Sequence, residues 1–286
     1  MKKISLIAIT LLLILFSSVG CVKRDSMEDI EIITSSYPIE YLVNEMYGEH
    51  STVENIFPDG DNIDKYKFNN KQYNNFSQKD LFIYNGKNAS DIALELINRN
   101  NNLLLIDSTL GMEYTYGIEE TWLDPSNLLM MSKNIKKGLE EYVSNSILIK
   151  EIDDAYQTLK VNLSELDAEI KLTVENASSN TIVVANPSLQ FLEKYGFEVI
   201  ILNEDTMDKT FTEVRNLVRL GRIKYLYMFN EDTLSKKVED FVSELYITKT
   251  KLFRLDSIND EQRNNNEDYI KIMKDNLDLL KLEIYK

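Results

Sequence analysis

Residues 147–176 read ILIKEIDDAYQTLKVNLSELDAEIKLTVEN, a run of 30 residues without proline or glycine. Apolar side chains fall at Ile152, Ala155, Leu159, Leu163, Leu166 and Ile170. Their spacing of three and four places them on one face of an α-helix. At 1.5 Å per residue such a helix is about 45 Å long. A helix of that length is expected to be a spine between two lobes, not one layer of a single core. With no residue that favours a kink, it should be a rigid strut.

The segments on either side have a different rhythm. Upstream, strands are expected at 31–34, 52–57, 81–84 and 103–107, with helices at 38–47 and 89–98. Pro58-Asp59-Gly60 and Asn85-Gly86 mark turns after two of those strands. A further helix, 128–142, follows Asp124-Pro125-Ser126. Downstream, strands are expected at 181–185, 198–202, 225–229 and 251–255, separated by helices at 188–195, 209–220 and 234–245. An amphipathic helix at 268–284 closes the chain. Strands alternating with helices imply βαβ units and parallel sheets covered on both faces. The expected fold is therefore α/β, two βα lobes joined by one long helix. The expected lobes are 30–142 and 179–286, with 143–178 linking them. No internal repeat is evident in the sequence.

The N-terminus carries its own signal. Lys2 and Lys3 precede an apolar stretch at 4–16, and Ser17-Ser18-Val19-Gly20 lead to Cys21, the only cysteine. A positive start, a short apolar core and small residues before a cut are the pattern of a signal peptide, here 1–20. The core falls short of the roughly 20 apolar residues that span a bilayer. Small residues before a lone cysteine resemble the lipobox of bacterial lipoproteins, which implies a lipid on Cys21 and a polar tether over 21–29. Location on the outer face of the bacterial cell membrane follows as an expectation. The 286 residues hold 32 basic and 47 acidic side chains, and losing Lys2 and Lys3 leaves 30 − 47 = −17. So acidic a body argues against nucleic acid as a partner. It fits one that attracts cations.

Catalytic signatures are missing. The sequence has no phosphate-binding glycine loop, no nucleophile elbow and no HExxH. His50 is the only histidine and Cys21 is assigned to lipid, so serine-histidine and cysteine-histidine chemistry lack parts. The chain is not expected to be an enzyme.

Several segments, in order, resemble the metal-binding lipoproteins that deliver zinc or manganese to ABC importers. Residues 32–38 (IITSSYP) look like that family's opening strand and Ser-x-Tyr-Pro turn, and 58–66 (PDGDNIDKY) like its glycine-containing loop. Residues 80–86 (DLFIYNG) are similar to its third strand, and 120–125 (ETWLDP) to its His-x-Trp-Leu-Asp-Pro segment. Leu192 to Gly196 and Asp268 to Leu277 resemble its Tyr-Gly helix end and its closing helix. The resemblance implies a periplasmic-binding-protein-like fold that holds one ion between its lobes, works with a membrane ABC permease and is monomeric.

It also implies where the ligands should be. The family's loop histidine falls on Asp64, and the histidine before the tryptophan falls on Glu120. The third ligand falls on Ala185, or on Asn186 with a one-residue shift, and the aspartate is kept as Asp256. Glu231, after the 225–229 strand, could add an oxygen or cap the following helix. Asp64, Glu120 and Asp256 offer only carboxylate oxygens, which favours Mn²⁺, Mg²⁺ or Ca²⁺ over Zn²⁺. Carboxylates sharing a cleft repel unless a cation lies between them, so such a site either binds one or keeps a proton. The alternative is a decayed site, on a surface lipoprotein that uses the same scaffold for adhesion. Trp122 is expected to pack between lobes.

Overall fold

The computed structural model describes residues 25–60, 63 and 65–285. The expected signal peptide at 1–20, Cys21 and Asp64 lie outside the described residues. The first lobe runs β1 (Ile30–Thr34), α1 (Tyr37–Tyr47), β2 (Ser51–Asn55), α2 (Asn70–Phe76), β3 (Leu81–Tyr84), α3 (Ser90–Arg99) and β4 (Leu104–Asp107). Helices α4 (Glu120–Leu123) and α5 (Pro125–Tyr142) lead into α6 (Ser146–Glu175), the spine. The second lobe runs β5 (Thr181–Val184), a 3₁₀ helix (Pro187–Tyr195), β6 (Glu198–Ile201), α7 (Asp208–Arg219), β7 (Tyr225–Phe229), α8 (Lys236–Glu244) and β8 (Thr248–Leu252). Two helices, α9 (Asp260–Asn264) and α10 (Tyr269–Ile284), end the fold.

Each lobe holds one four-stranded sheet, ordered β2-β1-β3-β4 and β6-β5-β7-β8, with every pairing parallel. The two orders are the same, so the topology repeats although the sequence shows no repeat. Alternation along the strands separates two packing faces, because successive side chains point to opposite sides. Ile32, Leu81 and Ile83 face the central core, as do Ile182, Val184, Tyr227 and Phe229 from the other sheet. Ile33 and Phe82 turn outward to pack with Phe76, Ala93 and Leu96. Val183 and Leu226 turn outward to Phe211, Val214, Val238 and Phe241. The central core is continuous through both lobes and takes in the stripe of α6, from Leu148 and Ile152 to Leu166 and Ile170.

The expected strand at 251–255 sits too far along. β8 covers Thr248–Leu252, a polar edge strand exposed at Thr248, Lys249 and Lys251. Leu255 has φ +68°, a left-handed conformation outside the β region, three residues past the end of the strand. Asn276 replaces the missing pairing: its side chain accepts from Phe253 N and donates to Phe253 O, both at 2.9 Å.

Candidate metal centre

In a parallel sheet the loops at the carboxyl ends of the strands gather on one edge, where ligands of open α/β folds bind. The two such edges face each other. Tyr37, just after β1, donates its N–H to the Asp256 carbonyl at 3.1 Å. Gly60, in the loop after β2, donates to the Ile258 carbonyl at 2.9 Å and to Ser257 Oγ at 3.0 Å. The turn residue Gly60 has φ +77°, which glycine adopts without strain. Trp122 is buried and donates from Nε1 to the Arg254 carbonyl at 2.9 Å, while Tyr269 donates to the Trp122 carbonyl at 2.7 Å. Its role between the lobes is packing and hydrogen bonding.

Asp256 sits at the centre of this seam, with its side chain 9% exposed. The left-handed turn at Leu255 swings the chain out of the β8 direction and re-aims the next residue. Such a conformation costs about 1–3 kcal/mol and persists where surroundings over-determine it. Asp256 Oδ1 accepts from Ser257 N at 3.1 Å, and Oδ2 lies 3.0 Å from Arg254 Nη2. The same Nη2 lies 3.4 Å from Glu119 Oε1, across the seam on the first lobe. Glu119 Oε2 in turn accepts from Ser188 Oγ of the second lobe at 2.7 Å. A cavity of about 40 Å³, lined by Gly60, Glu231, Arg254, Asp256, Ser257 and Asn259, opens beside Asp256. That is room for one small ion or a water.

Glu120 is placed differently from its neighbour. Its Oε2 accepts from Thr115 N at 2.9 Å and Tyr116 N at 3.0 Å, so it organises the loop ahead of α4. Asn186 caps the 3₁₀ helix through Ser188 N and lies 3.3–3.4 Å from the Asp232 carboxylate. Glu231 is exposed at the rim of the small cavity. His50 pairs with Glu151 of α6 at 2.9 Å, at the amino end of β2 and so at the opposite edge of the sheet. Among the described residues no three or more His, Cys, Asp or Glu side chains gather as a metal cluster. Sequence reasoning missed Glu119, Ser188 and Arg254. The available signal was an arginine two positions before Asp256 and, far from it in the chain, paired acids at 119–120.

An outer clamp lies beside the seam. Arg263 on α9 reaches Glu40 Oε1 at 2.8 Å and grips Asp59 through Nε and Nη2. These bonds, Asp59 first and Glu40 second, hold the guanidinium charged well above its usual range.

Comparison with known proteins agrees with this fold. The family model described as "ZnuA: Zinc-uptake complex component A periplasmic" matches residues 32–282. The chain belongs to this family. It is 21% identical to the zinc-binding protein AdcA of Streptococcus pyogenes serotype M6, over 88% of this chain and 56% of that one. It is 22% identical to the zinc-binding lipoprotein AdcA of Streptococcus pneumoniae, over 98% of this chain and 61% of that one. The chain thus spans little more than half the length of these relatives. The crystal structure of the Zn(II)-bound ZnuA-like domain of S. pneumoniae AdcA superposes with a TM-score of 0.72 at 20% identity, covering 90% of this chain and all of that one. The family is one of transport components that bind a metal solute, not of enzymes.

The expected preference for Mn²⁺, Mg²⁺ or Ca²⁺ is overturned by these relatives, which are zinc proteins by name and by bound ion. The physical reason lies in the donor argument itself. Zinc also takes Asp and Glu oxygens, at about 2.0–2.2 Å, so a lack of imidazole does not exclude it.

Proposed function

We propose that this chain is the extracytoplasmic solute-binding component of an ABC importer, that its cargo is zinc held in the interlobe seam, and that it yields the ion to a membrane permease. The family match across 32–282 carries this reading. The facing carboxyl edges of two parallel sheets, with Asp256 between them, support it. The proposed ligands are Asp256, Glu120 once its side chain turns from the Thr115 and Tyr116 amides, and Asp64, the last outside the described residues, with Asn186 and Glu231 at the margin. Ligands must be deprotonated, so binding weakens in acid. The protein acts as a monomer.

The test is metal content and thermal stability of the purified protein after chelation and reloading. One zinc per chain is expected, with stabilisation of RT ln(1 + [L]/Kd), about 2.7 kcal/mol at a hundredfold excess over Kd. Asp256→Ala should lose that response. A protein whose melting temperature zinc does not raise is not a zinc carrier.

Lipid attachment at Cys21 is part of the proposal. It is supported by the 4–16 apolar stretch before the only cysteine and by the pneumococcal relative's name as a lipoprotein. Among the described residues no helix is long and apolar enough to cross a membrane. Each buried CH₂ of an acyl chain contributes about 0.8 kcal/mol, so two or more chains would anchor the body firmly. Cys21→Ser should move the protein to the soluble fraction. If that variant stays with membranes at high salt, the anchor is elsewhere.

A further inference from the structure

We infer that the Arg254 guanidinium is a tethered cation that competes with the cargo ion for Asp256, so that this side chain sets how tightly the seam holds its ion. The inference rests on the metal-carrier reading above and deepens it.

The geometry is that of a cation already in place. Arg254 Nη2 lies between Asp256 Oδ2 at 3.0 Å and Glu119 Oε1 at 3.4 Å, one acid from each lobe. The three side chains are 10%, 9% and 14% exposed, so water screens them weakly. Opposed carboxylates in a shielded seam need positive charge between them. A mobile divalent ion can supply it, and here a fixed monovalent one does.

The two cannot share Asp256 Oδ2, the oxygen that faces Arg254. Zinc binds carboxylate oxygen at about 2.0–2.2 Å. A guanidinium nitrogen 3.0 Å from the same oxygen would then be pressed against a like charge. Arginine cannot relieve this by losing its proton. It has to swing away. Its backbone is not free to follow, because Trp122 Nε1 holds the Arg254 carbonyl at 2.9 Å and Leu255 is fixed at φ +68°. Binding of the ion at Oδ2 therefore requires the side chain to rotate out of the seam. When the ion leaves, the same side chain returns and restores charge balance across the lobes. The device also discriminates by charge. A divalent ion that replaces a resident +1 gains electrostatic energy, whereas Na⁺ or K⁺ gains little.

Arg254→Gln and Arg254→Lys separate this from a merely structural ion pair. Zinc affinity of the full chain is measured by competition with a fluorescent chelator, with circular dichroism to verify folding. Arg254→Gln should bind zinc roughly tenfold or more tightly than the parent, the scale set by removing one screened charge within a few ångströms. Arg254→Lys keeps the charge and should stay close to the parent. If the parent binds zinc and Arg254→Gln binds no better, the inference is overturned and the carrier reading stands. If only Arg254→Gln binds, the inference stands and the parent is not a zinc carrier. If neither binds, both fail. A readout in the parent covers a variant that does not fold. The Arg254 side-chain NMR signal, assigned by its absence in Arg254→Lys, should shift as zinc is added to the ¹⁵N-arginine-labelled protein. A signal unchanged at zinc saturation overturns the inference.

Discussion

The two lobes meet along a back and a front made of opposite materials. At the back, α6 presents Leu148, Ile152, Leu159, Leu163, Leu166 and Ile170, each at most 2% exposed, to α1 and α5 of one lobe and to α10 and the 3₁₀ helix of the other. That contact is apolar, close-packed and continuous with both sheets' inner faces. The front is polar: backbone bonds from Tyr37 and Gly60, the Arg254 pairs and the Arg263 clamp. Apolar burial cannot be exchanged for water without loss, whereas backbone hydrogen bonds and the pairs of the half-exposed Arg263 exchange with it at small net cost, and the shielded Arg254 pairs can trade their guanidinium for another cation. The back therefore fixes where the lobes sit, and the front can loosen around an ion. A spine with no break should keep that loosening small.

The largest effect expected from this contrast is at the back. Leu163→Ala removes a 1% exposed side chain where rigid helices leave little room to collapse. It should cost about 2–5 kcal/mol in denaturant unfolding, nearly independent of salt. A cost below about 1 kcal/mol would mean the spine is loosely packed and the comparison is wrong.

Next comes the front. Arg263→Ala leaves Glu40, with its side chain 6% exposed, without this partner, and frees the Asp59 turn. Because Arg263 is itself 43% exposed, the loss should be modest, about 1–2 kcal/mol. It should shrink as salt is raised, unlike the Leu163 effect. Small-angle scattering of the ion-free variant should show at most a slight rise in radius of gyration. A wide opening would show that the clamp, not the spine, sets lobe position.

The back was legible in the sequence and the front was not. The α6 stripe and the strands at 81–84 and 225–229 announce themselves through periodicity, because burial of one face dictates residue type along it. β8 was misplaced because an edge strand with exposed Thr248, Lys249 and Lys251 carries no apolar alternation. Helices α2 and α9 were passed over among asparagines, although each opens with the same capping box, Asn69 with Gln72 and Asn259 with Gln262. At the site, alignment by resemblance points to Asp256 and Glu120, but it carries no information on which of two adjacent acids faces the seam. Glu119 pairs across it while Glu120 folds back on Thr115 and Tyr116. That choice depends on the short turn of α4 and the loop ahead of it, which no pattern in the chain announces.

The smallest effect concerns where the spine begins. Asp25 accepts hydrogen bonds from Met27 N, Ser144 N and Oγ, and Asn145 N, at 2.6–2.9 Å, tying the start of the described chain to the N-terminus of α6. The Met27 N–H lowers its pKa from the ordinary 3.8, Ser144 and Asn145 add to this, and burial opposes it. A carboxylate with a depressed folded pKa leaves the unfolded chain binding more protons in the window below 3.8. Stability from this group is thus complete above that pH and is lost as pH falls through the folded value. Asp25→Asn should cost about 1 kcal/mol at neutral pH, the scale of a lost helix cap. The gap between variant and parent should stay constant down to about pH 5 and narrow below 3.8. A gap that widens in acid would reverse the sign and show that Asp25 is held as a neutral acid. The zinc response of the two proteins should be the same, since this anchor touches the back of the molecule and not the seam.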